Sequence, residues 1–181
     1  MTRLIALLPI FMLLEGCLAM TTTRPQQKCD YNALEEDKIQ AAVNAAHRWQ
    51  VPTALVLGLL EPHGPPWVKP RELDWDEFRM DSENWSSDPD DLDDSAHFLA
   101  WFSDQSQRRI QLDHDQTKAH YLAIRLGQGA YHRQETDIPV GLITAAHEAE
   151  QRAKQWQQRM QRCPINVNAS VSGGSLWKIW N

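Results

Sequence analysis

A glutamate stands where an apolar helix should break. From Val51 to Leu60 the chain reads Val-Pro-Thr-Ala-Leu-Val-Leu-Gly-Leu-Leu, and Glu61 follows, ahead of Pro62, His63, Gly64, Pro65 and Pro66. Pro52 suits a first helical position, because proline has no N–H to leave unsatisfied and its φ is already helical. Ala54 to Leu60 is apolar on every side, so this helix is expected to be buried. A carboxylate at the end of such a helix and facing a cleft can act as a general acid, which makes Glu61 the candidate catalytic residue. His63 is the other proton carrier of the segment, since an imidazole can hold a proton near neutral pH. An imidazolium would set positive charge beside a developing carbocation, so His63 reads as a polar loop residue. Metal chemistry is not expected: His114 and His120 are not at i, i+4 spacing, and His63 and His132 are isolated. No cofactor is implied.

The elements that must position Glu61 read as helices. Asn32-Ala-Leu-Glu35 has capping-box spacing, and Ile39, Ala42, Val43 and Ala46 recur at helical spacing as far as Trp49. The second helix spans about Pro52 to Leu60, and a proline-dense connection follows to Lys69. Arg71 to Met80 predicts a short helix with Leu73, Trp75 and Phe78 inward. The acidic block Asp88 to Asp94 resembles a calcium loop but lacks the glycine and distal glutamate of one. It reads instead as a helix start, where acids suit the macrodipole. That helix runs from about Asp90 to Arg109, with Leu92, Phe98, Leu99 and Phe102 buried and Trp101 at one margin. Asp113 or Asp115 is expected to cap the next helix, which carries Tyr121, Leu122 and Ile124 and stops at Gly127-Gln-Gly129. Pro139 opens the last helix, which reaches about Arg162 with Leu142, Ile143, Ala146, Ala149, Ala153, Trp156 and Met160 inward. No stretch alternates like a strand, the tail from Ser170 excepted, and there is no internal repeat. The pattern is that of an all-α single domain.

The chain has 181 residues, enough for one domain with a real core. Residues 1–16 read as a signal peptide: Arg3 is basic, Leu4 to Leu14 is apolar but too short to span a bilayer, and Leu14-Glu15-Gly16-Cys17 has the form of a lipoprotein cleavage box. Cys17 would then be lipidated; the other reading is an ordinary secretory signal cut near Ala19. Leu18 fits sorting to the outer membrane, with the domain facing the periplasm. Residues 17–28 form a polar tether, 29–163 the domain and 164–181 a Gly/Ser joint with a Leu-Trp-Lys-Ile-Trp tail. Of three cysteines, lipidation of Cys17 leaves Cys29 and Cys163 to pair as a disulfide, or to stand as two unrelated thiols. A net charge of −6 without long basic runs argues against nucleic acid as a partner. The eight tryptophans are a high number, and some are candidates for a binding surface.

Taken in order, several of these segments resemble the bacterial lytic transglycosylases, in particular a group of small envelope lipoproteins. Arg48-Trp-Gln-Val-Pro52 is similar to the family's entry into its catalytic helix, and Trp75-Asp76 and Asn84-Trp85 to its middle segment. Phe98-Leu-Ala-Trp101 with Gln105-Ser-Gln-Arg-Arg109 resembles its long helix. Tyr121-Leu-Ala123, Gly127, Gly129 and Tyr131 resemble the last segment of its sugar cleft, and Gln151-Arg-Ala153 and Arg162-Cys163 its terminal helix. The resemblance covers Cys29 to Cys163 and implies a lysozyme-like, transglycosylase SLT-type helical domain directed at peptidoglycan glycan strands. In that family one glutamate protonates the bond between N-acetylmuramic acid and N-acetylglucosamine, then acts as base while the sugar's own C6 hydroxyl closes an anhydro ring.

Three departures from the family pattern bear on activity. Counted from Arg48-Trp49, the family glutamate's place falls on His63, with Gly64 in place of the serine that follows it. Glu61 lies two residues earlier, a rotation of roughly 200° on a regular helix, although Pro62 disturbs that geometry. The Gly-x-x-Gln segment falls on Pro66-Trp-Val-Lys69, and the Ala-Tyr-x-x-Gly segment on Ala123-Ile-Arg-Leu-Gly127. Glutamate, glutamine and tyrosine are thus all replaced. The first expectation is a glycan-binding or partner-scaffolding lipoprotein with lost or weakened catalysis. The second is an active lytic transglycosylase using Glu61 as acid and base. The third is an envelope interaction module whose old cleft is filled by Trp67, Ile124 and Leu126. Trp67, Trp85, Trp101 and Tyr131 are the candidate sugar-facing aromatics, with core as the favoured reading of Trp75 and Trp101.

Overall fold

The computed structural model describes residues 31–133 and 137–163. Among them are seven helices: α1 (Ala33–Trp49), α2 (Thr53–Leu59), α3 (Glu72–Ser82), α4 (Leu92–Ile110), α5 (Thr117–Leu126), α6 (Gln128–His132) and α7 (Val140–Arg162). None of them is long and apolar enough to cross a membrane. The signal segment, Cys17, the tether with Cys29, and the tryptophan-rich tail lie outside the described residues.

Local chemistry sets the helix ends. Asn32 caps α1 by accepting from the Glu35 N–H, and the Glu35 side chain accepts from the Asn32 N–H, closing the expected capping box. The acidic block starts α4. Asp91 accepts from the Asp94 N–H, while the Asp94 carboxylate accepts from Asn84 Nδ2 and from the Asp88 N–H. Pro52 and Pro139 stand at N-cap positions, one residue ahead of the first helical turn. Gln116, without a side-chain capping bond, occupies the N-cap of α5, so neither Asp113 nor Asp115 has the expected role. Gly127, at φ 89°, separates α5 from the short α6, which the sequence pattern did not anticipate.

The core has two parts. Trp75 and Phe78 of α3 pack against Phe98 and Trp101 of α4, and Phe102 packs against the latter two, with ring centroids 5.0–6.3 Å apart across the group. The Trp101 indole N–H donates to Asp81 at 3.0 Å. Buried Ser103 and Ser106 donate back to the carbonyls of Leu99 and Phe102, which removes the cost of an unpaired hydroxyl inside the core. The second part is α2, packed chiefly on α7 and α1. Leu55, Val56, Leu57, Gly58 and Leu59 are all buried, as an apolar surround predicts. A Cβ added at Gly58 would stand 2.5 Å from the Ala153 Cβ and 2.9 Å from the Ala149 carbonyl oxygen. Gly58 and the two alanines thus let α2 lie almost backbone to backbone against α7.

Leu73 departs from expectation. It is 71% exposed on α3, while Trp75 and Phe78 are buried as anticipated.

Candidate functional site

The end of α2 determines where Glu61 goes. Leu60 already has extended angles, φ −59° and ψ 138°, so Glu61 is off the helix. Its N–H donates to the Trp67 carbonyl at 2.7 Å, closing a loop over the proline-dense connection. The rotation expected for a regular helix therefore does not apply. Glu61 is half-buried, and its charge acts on Tyr121 of α5 and on Arg152 of α7. Glu148, one turn before Arg152, acts on the same two groups.

These surroundings perturb the neighbours. Burial first, and then the Glu61 charge, pushes the Tyr121 phenol up, so it stays a protonated donor. Burial pulls the Arg152 guanidinium down, opposed by Glu61, Tyr121 and Glu148. No hydrogen bond or ion pair among the described residues joins Glu61, Tyr121 and Arg152, and the buried Arg152 Nε has no partner. A carboxylate, a hydroxyl and a guanidinium from three chain segments thus lie within electrostatic reach of one another without a bond between them.

The proline-dense connection forms a rim beside Glu61 that is strapped down. Lys38 of α1 donates to the Pro62 carbonyl at 3.1 Å, and its ammonium lies 4.9 Å from the centre of the Trp67 ring. Arg125 of α5 donates to the Lys69 carbonyl at 3.2 Å, and Arg71 reaches back to the Leu126 carbonyl at the same distance. The Arg71 guanidinium fills the space a side chain at Gly127 would need. The Trp67 N–H donates to the Pro89 carbonyl at 3.0 Å, tying the connection to the start of α4.

The other candidate residues are scattered. His63 is an exposed turn residue and Lys69 is exposed, while Ile124 is buried. Trp67 is 8% exposed and Trp101 1%, so both belong to the core rather than to a sugar-facing surface. That burial speaks against each as a substrate platform; Trp67 and Ile124 are both buried hydrophobic residues. Trp85 is 68% exposed on the turn between α3 and α4, and Tyr131 is half-buried on α6. Trp85 is thus carried by different elements from the Glu61 group. The sequence placed Tyr121 on a helix and in the segment that resembles the family's sugar cleft, and Arg152 in the terminal-helix motif, but assigned neither a role. The available signal was spacing: Arg152 lies three residues after Ala149 and one before Ala153, at the margin of the inner stripe of α7.

A recess is lined by Arg48, Trp49, Phe78, Ser82, Asn84, Asp94 and His97. The Trp49 Nε1 and His97 Nδ1 have no partners there. Burial, with some help from Arg48, pulls His97 down to about 4. On the other side of the fold, the His114 and His120 rings lie 6.1 Å apart. No group of three or more His, Cys, Asp or Glu among the described residues could hold a metal ion.

An all-helical domain is the architecture of the lysozyme-like SLT domains. The transglycosylase SLT domain family matches residues 67–163, more than half of the chain, and the protein belongs to that family. The matched segment begins at Trp67, so Glu61 and His63 lie upstream of it. No curated protein and no solved structure matches the chain. Membership relates the protein to peptidoglycan.

Proposed function

We propose that this is an exported lipoprotein, anchored through Cys17 in the outer membrane and facing the periplasm, that binds peptidoglycan glycan strands without cleaving them. The observation that carries the reading is the state of the three family positions. By the count from Arg48-Trp49 the acid's place falls on His63, the glutamine's on Lys69 and the tyrosine's on Ile124; His63 and Lys69 are exposed, and Ile124 is 3% exposed within the core. A buried isoleucine cannot donate a hydrogen bond to a reacting sugar, and an exposed histidine in a turn has no fixed geometry toward one. Glu61, Tyr121 and Arg152, within electrostatic reach of one another, offer donors and an acceptor suited to holding sugar. Pairing of Cys29 with Cys163 belongs to the same reading. It is supported by the burial of Cys163 at the C-cap of α7 and by the engagement of its sulfur in a disulfide.

Incubation with purified sacculi tests the proposal. The protein is expected to sediment with the sacculi and to release no anhydro-muropeptides, and Glu61→Gln is expected to release none either. A second reading has one observation in its favour: the extended Leu60 takes Glu61 off the helix and toward Tyr121. Anhydro products made by the wild type and lost in Glu61→Gln would establish that reading, with Glu61 as acid and base. Failure to sediment would leave a protein-interaction module of the envelope. Metabolic labelling with a fatty-acid analogue tests the anchor; an unlabelled mature protein would overturn it.

A further inference from the structure

The recess at the end of α1 is built by other elements than those that carry Glu61, Tyr121 and Arg152: α3, the turn after it and the start of α4 complete its wall. Much of its polar lining is already engaged. Ser82 Oγ donates to the Phe78 carbonyl at 2.6 Å, Asn84 Nδ2 donates to Asp94 at 3.0 Å, and Asn84 Oδ1 accepts from Ser86 at 2.9 Å. The other Asp94 oxygen accepts from the Asp88 N–H at 3.0 Å. The Trp49 indole N–H and His97 Nδ1 differ from these, for both are buried without a hydrogen-bond partner. Polar atoms left so are unfavourable, and a ligand that completes them recovers the loss. The recess offers about 210 Å³ including its open mouth, while its enclosed part takes about one water-sized group.

We infer that this recess takes the acetamido carbonyl of an N-acetylated amino sugar, whose ring stays outside against Trp85. This rests on the glycan-binding reading and adds a second contact point to it. An indole N–H can only donate. Burial keeps the His97 ring neutral, so it can carry its proton on Nδ1 and donate as well. A carbonyl oxygen has two lone pairs and the size of the enclosed space, so one oxygen satisfies both donors. An anion is disfavoured, because the Asp94 carboxylate belongs to the same wall. A hydroxyl would bring its own proton to a wall whose Asp94 and Asn84 acceptors are already engaged. The amide carbonyl brings none, and its methyl group can lie against the Phe78 side of the recess. An apolar wall with a few polar groups is the usual make-up of a small-ligand site. The mouth has its own platform. Asn84 is followed by Trp85, which is 68% exposed on a turn fixed by Ser86 Oγ and by the Ser87 N–H, which donates to the Asn84 carbonyl at 3.3 Å. Its indole offers an apolar face to the sugar ring.

NMR of the nitrogen-labelled protein reads the site directly, because each indole N–H gives its own resonance. Chitotriose is expected to shift the Trp49 and Trp85 indole signals in a saturable way. Cellotriose, with hydroxyls in place of the acetamido groups, is expected to bind at least about tenfold more weakly, the scale of two neutral hydrogen bonds. Trp49→Phe keeps an aromatic ring but loses the N–H, and should lose most of that preference. Trp85→Ala, at an exposed position, should weaken chitotriose binding several-fold and leave the melting temperature unchanged. Equal binding of the two sugars, or chitotriose binding that leaves the Trp49 signal unmoved, would overturn the inference while glycan binding stands. A long-lived water on the Trp49 N–H that persists at saturating chitotriose would assign the recess to that water and overturn it likewise. Failure of both sugars, together with failure to sediment with sacculi, would remove the glycan-binding reading as well. Should Trp49→Phe fail to fold, the comparison of the two sugars decides the matter, because it needs no substitution.

Discussion

His97 and His120 are the residues through which acidity should reach this fold. Burial pulls both imidazoles down to about 4, aided by Arg48 for His97 and by His114 for His120. For His120 the hydrogen bond with the Asp113 carbonyl opposes the shift. In the unfolded chain both would protonate near the ordinary histidine value of about 6.5. As pH falls below that value the unfolded state gains protons that the folded state refuses. The histidine contribution is therefore full above about pH 6.5 and is lost as pH falls towards about 4. Asp74, Asp93 and Asp94 act with the opposite sign, because burial raises each of them. Their effect belongs to the carboxylate range, so the upper part of the window is governed by the histidines. The urea midpoint should fall between about pH 7.5 and about pH 5.5, and His97→Asn and His120→Asn should each flatten that dependence. Unchanged slopes in both variants would remove the histidines from the explanation. At this scale the sequence showed which groups could do chemistry but not which of them meet. Glu61 was legible as an acid at a helix end. Its convergence with Tyr121 and Arg152 depends on three chain segments and on one extended residue, Leu60, that no periodicity announces.

The two helices that matter most to the site, α2 and α7, meet through their smallest residues. Gly58 lies against Ala149 and Ala153, and the atoms nearest to any added Cβ are the Ala153 Cβ and Cα and the Ala149 carbonyl oxygen, none of which can rotate away. Gly58→Val should therefore overpack the interface and cost about 1–3 kcal/mol, read as a lowered urea midpoint. Gly58→Ala should cost less, since its extra helix propensity offsets part of the clash. A neutral or stabilised Gly58→Val would mean that α2 and α7 can separate without loss. The straps over the connection have their own readout. Lys38→Met and Arg125→Met should each speed hydrogen exchange at the Glu61 amide, whose bond to the Trp67 carbonyl they help to hold. Helix identity was well announced by the sequence, because capping chemistry and apolar spacing are local. The Asn32 capping box and the acidic start of α4 both stand where their residues place them. Facing was announced less well. Leu73 turned outward although it is apolar, and Trp101, placed at a margin, is almost wholly enclosed by Phe78, Phe98 and Phe102. Both outcomes follow from how α3 sits on α4, which no single helix encodes.

Across the whole molecule, α1 and α7 are clasped at one end. Arg159 pairs with Glu35, and its guanidinium lies 4.5 Å from the Tyr31 ring and 5.3 Å from the Trp156 ring. Glu35 is held below its ordinary range, first by the hydrogen bond from Arg159. The pair is partly exposed, so its net worth is modest. The proposed Cys29–Cys163 bridge would join the same two ends covalently. By the chain-entropy estimate a loop of that length is worth about 4–5 kcal/mol. Reducing agent should therefore lower the melting temperature, and Cys163→Ser should melt like the reduced protein. Titration under denaturing conditions should find no free thiol in the mature oxidised form. One reactive thiol or more would contradict the pairing. The all-helical class was legible from caps and periodicity alone, whereas the closure of the fold on itself needed contacts between the first and last helices.

The straps over the proline-dense connection have a consequence for how this rim can change over generations. Each is a cationic side chain donating to a main-chain carbonyl: Lys38 to residue 62, Arg125 to residue 69, Arg71 to residue 126. A carbonyl oxygen belongs to every residue type, so the acceptor side carries no sequence information. The donors are specified and the acceptors are not. Residues along the rim are therefore free to drift, provided the backbone path is kept, while the cations that hold it are not. A saturation scan of folded variants should show that asymmetry, with Lys69 and Leu126 tolerant and Lys38, Arg71 and Arg125 restricted.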